Sequence, residues 1–209
     1  MRHFSVAIGA AVLLMAAGLA RSASAPPTII PVFHQLVAFS LPAPFKVGFE
    51  ETRRGFYTRE HVPQGESIDE WTRMVRLTGT QGLAYNRDAS PQAYLQALAR
   101  GFQLHCPETY VQLELGPQAG IAQPSFVTVA SCGRVTSGGK AHSETAVMLA
   151  IKGTDDYYTL QWVERGRDSA HPLTLDSRYW TSKLAQLGPV RLCPIVPGET
   201  APYPSCAAH

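Results

Sequence analysis

The chain has 209 residues, 45% hydrophobic and 16% charged, with a formal net charge of +2. That length suits one domain with a real core. Near-neutral charge without basic runs argues against nucleic acid as a partner, because phosphate binding needs concentrated Lys and Arg.

Residues 1–25 read as a signal peptide. Arg2 and His3 make a short basic start, Phe4 to Leu19 is a nearly unbroken apolar run, and Ala23-Ser24-Ala25 has the Ala-x-Ala form of a cleavage site. The cut is expected after Ala25, or after Ala20, since Pro26 would directly follow the first of these. The apolar run falls short of the roughly 20 residues of a spanning helix. No later segment approaches that length, so no membrane span is expected after cleavage. Arg2 and Arg21 leave with the leader, so residues 26–209 carry 16 basic and 16 acidic residues. The expected location is periplasmic or secreted.

Pro26 to Pro31 read as an extended lead-in, and His34 to Leu41 as a buried strand ended by Pro42 and Pro44. Lys46 to Glu51 and Arg54 to Val62 are two further extended segments, with Phe56 and Tyr57 supplying strand propensity. Ser67-Ile68-Asp69-Glu70 fits a capping box. One helical turn is expected there, then a strand with Trp71, Arg73, Val75 and Leu77 on one side and Thr72, Met74, Arg76 and Thr78 on the other. Ser90-Pro91 starts a helix with Leu95, Leu98 and Phe102 on its apolar face, ending before Pro107. Strands follow at Thr109–Leu115 and Ser125–Val135, then a hairpin, Thr145–Lys152 and Tyr157–Glu164, around Gly153-Thr154-Asp155-Asp156. Asp176 or Ser177 caps a last helix with Trp180, Leu184 and Leu187 on one face, stopped by Gly188-Pro189. This order predicts an α+β fold: a single domain over 26–209, mainly antiparallel sheet flanked by two principal helices, with a proline-rich C-terminal tail.

Cys106, Cys132, Cys193 and Cys206 form an even set without a Cys-x-x-Cys pair, which in an exported chain points to disulfides. Sequential pairing, Cys106–Cys132 and Cys193–Cys206, would tie a helix end to a strand and pin the tail. Each such loop closure stabilises by about 3 kcal/mol.

The Val62-Pro63-x-Gly65 turn followed by Trp71 and Met74, with Cys106 and Tyr157-Tyr158, resembles a group of uncharacterised exported proteobacterial proteins. The element order is similar to the α/β/α sandwich of PsbP and Mog1-like proteins. That resemblance implies a binding or assembly role and carries over no site residue.

The patterns that would carry chemistry are incomplete. Gly133 to Ala141 has the wrong spacing for a phosphate loop, with Ala141 where magnesium would need Ser or Thr, so it reads as a hairpin turn. Asp155-Asp156 reads as a solvated turn, since adjacent strand residues point opposite ways. The histidines lack metal-ligand spacing, and Gly-x-Ser-x-Gly is absent. No catalytic residue, metal site or cofactor is assigned. Trp162 and Trp180 fit core positions. Trp71, flanked by Arg73 and Arg76, is either a core residue or a contact for a ligand or partner. The expected function is a non-enzymatic exported domain that binds or assembles with an envelope protein or small ligand. The alternative is a periplasmic hydrolase assembled across the fold, with His61, Glu66 or His142 taking part.

Overall fold

The computed structural model describes residues 26–207. The expected signal peptide and its cleavage site lie outside them. Ten strands form two antiparallel sheets: β1 (Thr28–Val32), β2 (Gln35–Phe39), β3 (Phe45–Arg53), β4 (Phe56–Pro63), β5 (Arg73–Thr80), β6 (Tyr110–Gly116), β7 (Ser125–Ser137), β8 (Lys140–Lys152), β9 (Tyr157–Gly166) and β10 (Arg191–Pro194). The larger sheet has the order β3-β4-β5-β9-β8-β7-β6, and the smaller one β1-β2-β10. The helices are α1 (Pro91–His105), α2 (Ser177–Ala185) and the short α3 (Pro204–Ala207). The fold is α+β, as its element order implied.

The large sheet is covered on both faces. Against one face, Val75, Leu77, Leu149 and Trp162 pack with Val37 and Phe39 of β2 and with Trp180 and Leu184 of α2. On the other face, Met74, Ala130, Ala146 and Met148 pack beneath Leu95 and Ala99 of α1. Double coverage explains why the middle of β8 and β9 reads as a continuous buried run and not as alternation. The β7–β8 hairpin turns through Gly138 and Gly139, both with positive φ, which a two-residue loop of this kind requires.

The helix starts follow their sequence signals. Ser90 Oγ accepts the Ala93 N–H at 3.1 Å with Pro91 at the first helical position. Asp176 caps α2, accepting from the N–H of Arg178 at 2.8 Å. At the far end of α1, Cys106 lies 5.7 Å (Cα–Cα) from Cys132 on β7, within a disulfide. Cys193 on β10 and Cys206 on α3 form the second pair, also at 5.7 Å.

Three expectations need correction. The Pro26–Pro31 lead-in is largely strand β1, paired with β2; β10, only four residues long, went unread. The Ser67–Glu70 segment is not helical. Half of its capping box exists, because Ser67 Oγ accepts the Glu70 N–H at 3.1 Å, but the Glu70 carboxylate turns to Lys140 Nζ at 2.5 Å. With that reciprocal bond gone, nothing nucleates the turn.

The third correction concerns Asp156, which is fully buried and not solvated. Its carboxylate accepts from Gly82 N–H (2.8 Å), His34 N–H (3.2 Å) and the Tyr158 hydroxyl (3.1 Å), and lies 2.9 Å from His34 Nδ1. Burial pushes its pKa up, but the hydrogen bonds from Gly82, His34 and Tyr158 together hold it below the usual carboxylate range. One side chain thus fastens the β1–β2 turn, the loop after β5 and the β8–β9 hairpin. Asp155, its neighbour, accepts a hydrogen bond from Tyr85.

Candidate functional site

Strand register builds the candidate site on the α1 face of the large sheet. Arg76 on β5 lies opposite Gln161 on β9, which lies opposite Met148 on β8. Four residues along β9, Arg165 faces Glu144, which faces Cys132. The row between them is apolar and small: Val163, Ala146 and Ala130. Two polar rows therefore flank a buried apolar row, set apart by about 13 Å along the strand, and Met148, Cys132 and Val135 bring apolar surface to the floor of the cleft.

Helix α1 supplies one wall through Leu98, Gly101 and Phe102, leaving a cleft of about 390 Å³. Past His142 and Arg165 the cleft continues into a second hollow bounded by Glu66, Trp71 and Lys140. Gly101 sits in the interior of α1, where a glycine weakens a helix. A Cβ there would meet nothing within 4 Å. Gly101→Ala is therefore expected to stabilise the protein by about 0.5–1 kcal/mol, seen as a higher urea midpoint. A lowered midpoint would mean that the space beside Gly101 is occupied in the folded protein.

The charged groups of the cleft are held in fixed pairs. The Arg165 guanidinium stacks on the Trp71 ring at 3.8 Å, and its Nε donates to Glu144 at 3.3 Å. Arg76 Nε donates to Glu60 at 2.6 Å. The Glu66 carboxylate accepts from both the N–H and the hydroxyl of Thr72, at 2.6 and 2.7 Å. His142 places a buried Nε2 without a hydrogen-bond partner 3.7 Å from Glu144. Its other nitrogen lies 3.3 Å from the Lys140 carbonyl, and among the described residues no hydroxyl or thiol bonds the ring.

The residues singled out from sequence fall on two faces. Trp71 precedes β5 and packs with Met74 and Leu95, on the cleft side, against the expectation that it shares a face with Arg73. Arg76 is also on the cleft side. Arg73 turns the other way, 6.0 Å above the Phe45 ring. Sequence reading missed Arg165 and Phe102 as site residues. Their only signal was alternation in β9 and helical spacing in α1, which both also serve core packing.

Among the three residues of the hydrolase alternative, Glu66 and His142 border the outer hollow, whereas His61 lies buried across the sheet, near Phe39. Burial first, and the nearby Arg59 charge second, lower the pKa of His61 from 6.5 to about 4. A depressed histidine pKa means that the unfolded chain takes up a proton first as pH falls. The contribution is complete above pH 6.5 and lost between 6.5 and about 4, amounting to roughly 3 kcal/mol. His61→Phe should flatten the stability profile over that interval, read by urea unfolding at pH 7, 5.5 and 4.5. Parallel wild-type and variant profiles would rule the effect out.

No protein-family model matches the sequence, and no curated protein matches it. Among the solved structures that resemble it in fold are the following two. One is LpqN of Mycobacterium tuberculosis, described as involved in cell envelope biogenesis: 12% identity, 80% of this chain, 91% of that one, TM-score 0.46. The other is the Saccharomyces cerevisiae Ran-binding protein Mog1p: 13% identity, 77% and 84% coverage, TM-score 0.42. Likeness at this level carries no functional argument. Among the described residues, no helix is long and apolar enough to cross a membrane, and no cluster of metal-ligating side chains occurs.

Proposed function

We propose that this chain is an exported, non-enzymatic binding domain whose ligand or partner segment seats in the cleft between α1 and the large sheet. One observation carries this reading: a concave site joins an apolar floor to a few convergent, positioned polar groups, the usual character of a binding pocket. Arg76 and Arg165 are each hydrogen-bonded to a carboxylate and Glu66 to Thr72, an arrangement suited to holding a ligand in place. Export is supported by the leader-like residues 1–25, by the two cysteine pairs and by the Val62-Pro63-x-Gly65 motif with its resemblance to exported proteins.

The reading is tested by recovering the protein from the native envelope and identifying small molecules or peptides that travel with it. A Gly101→Leu variant, which projects a side chain into the cleft, should lose them. Identical co-purifying material from both proteins would move the site elsewhere. Export has its own test. Protein from the envelope or medium should show all four cysteines oxidised by mass measurement under non-reducing conditions. Free thiols would remove both the disulfides and the main support for export.

A further inference from the structure

We propose that the cleft takes a small anionic amphiphile, with an apolar body lying over Leu98, Phe102 and Met148 and one anionic head at the Arg165 guanidinium. This rests on the cleft being the binding site, as read above, and adds the chemical class of its occupant.

Size sets the first limit. The part of the cleft beside α1, about 390 Å³, suits an apolar body of a single short chain or one to two rings, with the outer hollow open beyond Arg165. Apolar side chains form the floor and the α1 wall, so the body of the ligand must be apolar. Charge sets the second limit. The lining carries Arg76 and Arg165 against one carboxylate, Glu144. Each guanidinium is anchored through its Nε, to Glu60 and Glu144 respectively. Arg76 Nη1 and Arg165 Nη2 have no hydrogen-bond partner among the described residues, so each anchored guanidinium keeps donors for an anion. A cationic head would instead meet guanidinium groups whose partner carboxylates are already engaged.

Two further observations bear on the ligand. The buried His142 Nε2 has no partner, although such a group normally finds one; with Nδ1 facing the Lys140 carbonyl, an anionic head at the Arg165 end would accept a hydrogen bond from Nε2 of the imidazolium form. Gly101 gives up helix stability with no neighbour within 4 Å of its absent Cβ, which keeps the α1 wall recessed. An apolar ligand body restores the contacts that this recess forgoes.

The test titrates the purified protein with decanoate, decyl phosphate, decanol and decyltrimethylammonium by calorimetry. At least one of the two anions should bind about tenfold or more tightly than decanol and than the cation. The tighter anion tells a carboxylate head from a phosphate head. Arg165→Gln should weaken anion binding by about tenfold and leave decanol unchanged. Arg165→Lys, which keeps the charge but loses the planar fork, serves the same purpose if loss of the Trp71 stack unfolds the first variant. Gly101→Leu, checked for folding by circular dichroism, should abolish binding of all the probes. Equal affinity for the four probes, or tightest binding of the cation, overturns the ligand class. If Gly101→Leu still blocks binding in that case, the cleft reading survives. A folded Gly101→Leu protein that binds decanoate normally overturns both. An absence of anion binding overturns the ligand class, and recovery of native ligands then decides the cleft separately.

Discussion

Replacing Asp156 with alanine should destabilise the protein by about 3–5 kcal/mol, much of the stability of a domain this size. The carboxylate is fully buried and takes hydrogen bonds from three separate segments, through Gly82, His34 and Tyr158. Truncation leaves those donors facing a void, and each unsatisfied buried donor costs about 1–3 kcal/mol. An asparagine side chain at this position would retain one acceptor oxygen and should recover part of the loss, so an Asp156→Asn protein should unfold between the wild type and the alanine variant. Equilibrium urea unfolding measures both. The carboxyl pKa is depressed in the fold, so its contribution is present above the ordinary carboxylate range and fades as pH drops through it. The alanine variant should therefore lose part of the acid sensitivity of the wild type. A loss below about 1 kcal/mol would mean that the three segments hold together without this group.

Trp71→Ala should cost a similar amount, about 3–5 kcal/mol. The indole is only 6% exposed and belongs to the second core with Val62, Met74 and Leu95. Its outer face carries Arg165, so truncation also frees the guanidinium from its 3.8 Å stack. Trp71→Phe keeps an aromatic face and most of the burial, and should recover well over half of the stability. Unfolding curves for the two variants separate packing from stacking. If phenylalanine is as damaging as alanine, the indole contributes through its shape and not through its aromatic face. Any loss of binding on mutating Trp71 is interpretable only in a variant shown to be folded.

Much of the fold was legible because local rules governed it. Ser90-Pro91 and Asp176 marked helix starts through capping, and Gly188-Pro189 marked a stop. Failures came where a distant partner prevailed over a local one. Glu70 leaves its capping box for Lys140, seventy residues away in sequence. Asp156, placed by turn chemistry in solvent, is drawn inward by His34 and Gly82. Strand β10 is short and exists because β2 offers it a pairing edge.

The candidate site was less legible than the fold. Trp71, Arg73 and Arg76 stood out together in the sequence, yet a strand sends alternate side chains to opposite faces, and Arg73 leaves the group for that reason. Arg165 was invisible as a site residue, because nothing near it in sequence marks it as Trp71's partner.

The sequence by itself determined the α+β class, both principal helices, most strands and a cysteine set suited to two pairs, since these follow from periodicity, capping and spacing. Only the tertiary structure decided that Trp71, Leu98, His142 and Arg165 line two adjoining hollows. The order β5-β9-β8-β7 and the seating of α1 bring them together from across the chain. Strand order is set by the joint burial of two faces, a sum over many long-range contacts that no short stretch of residues encodes.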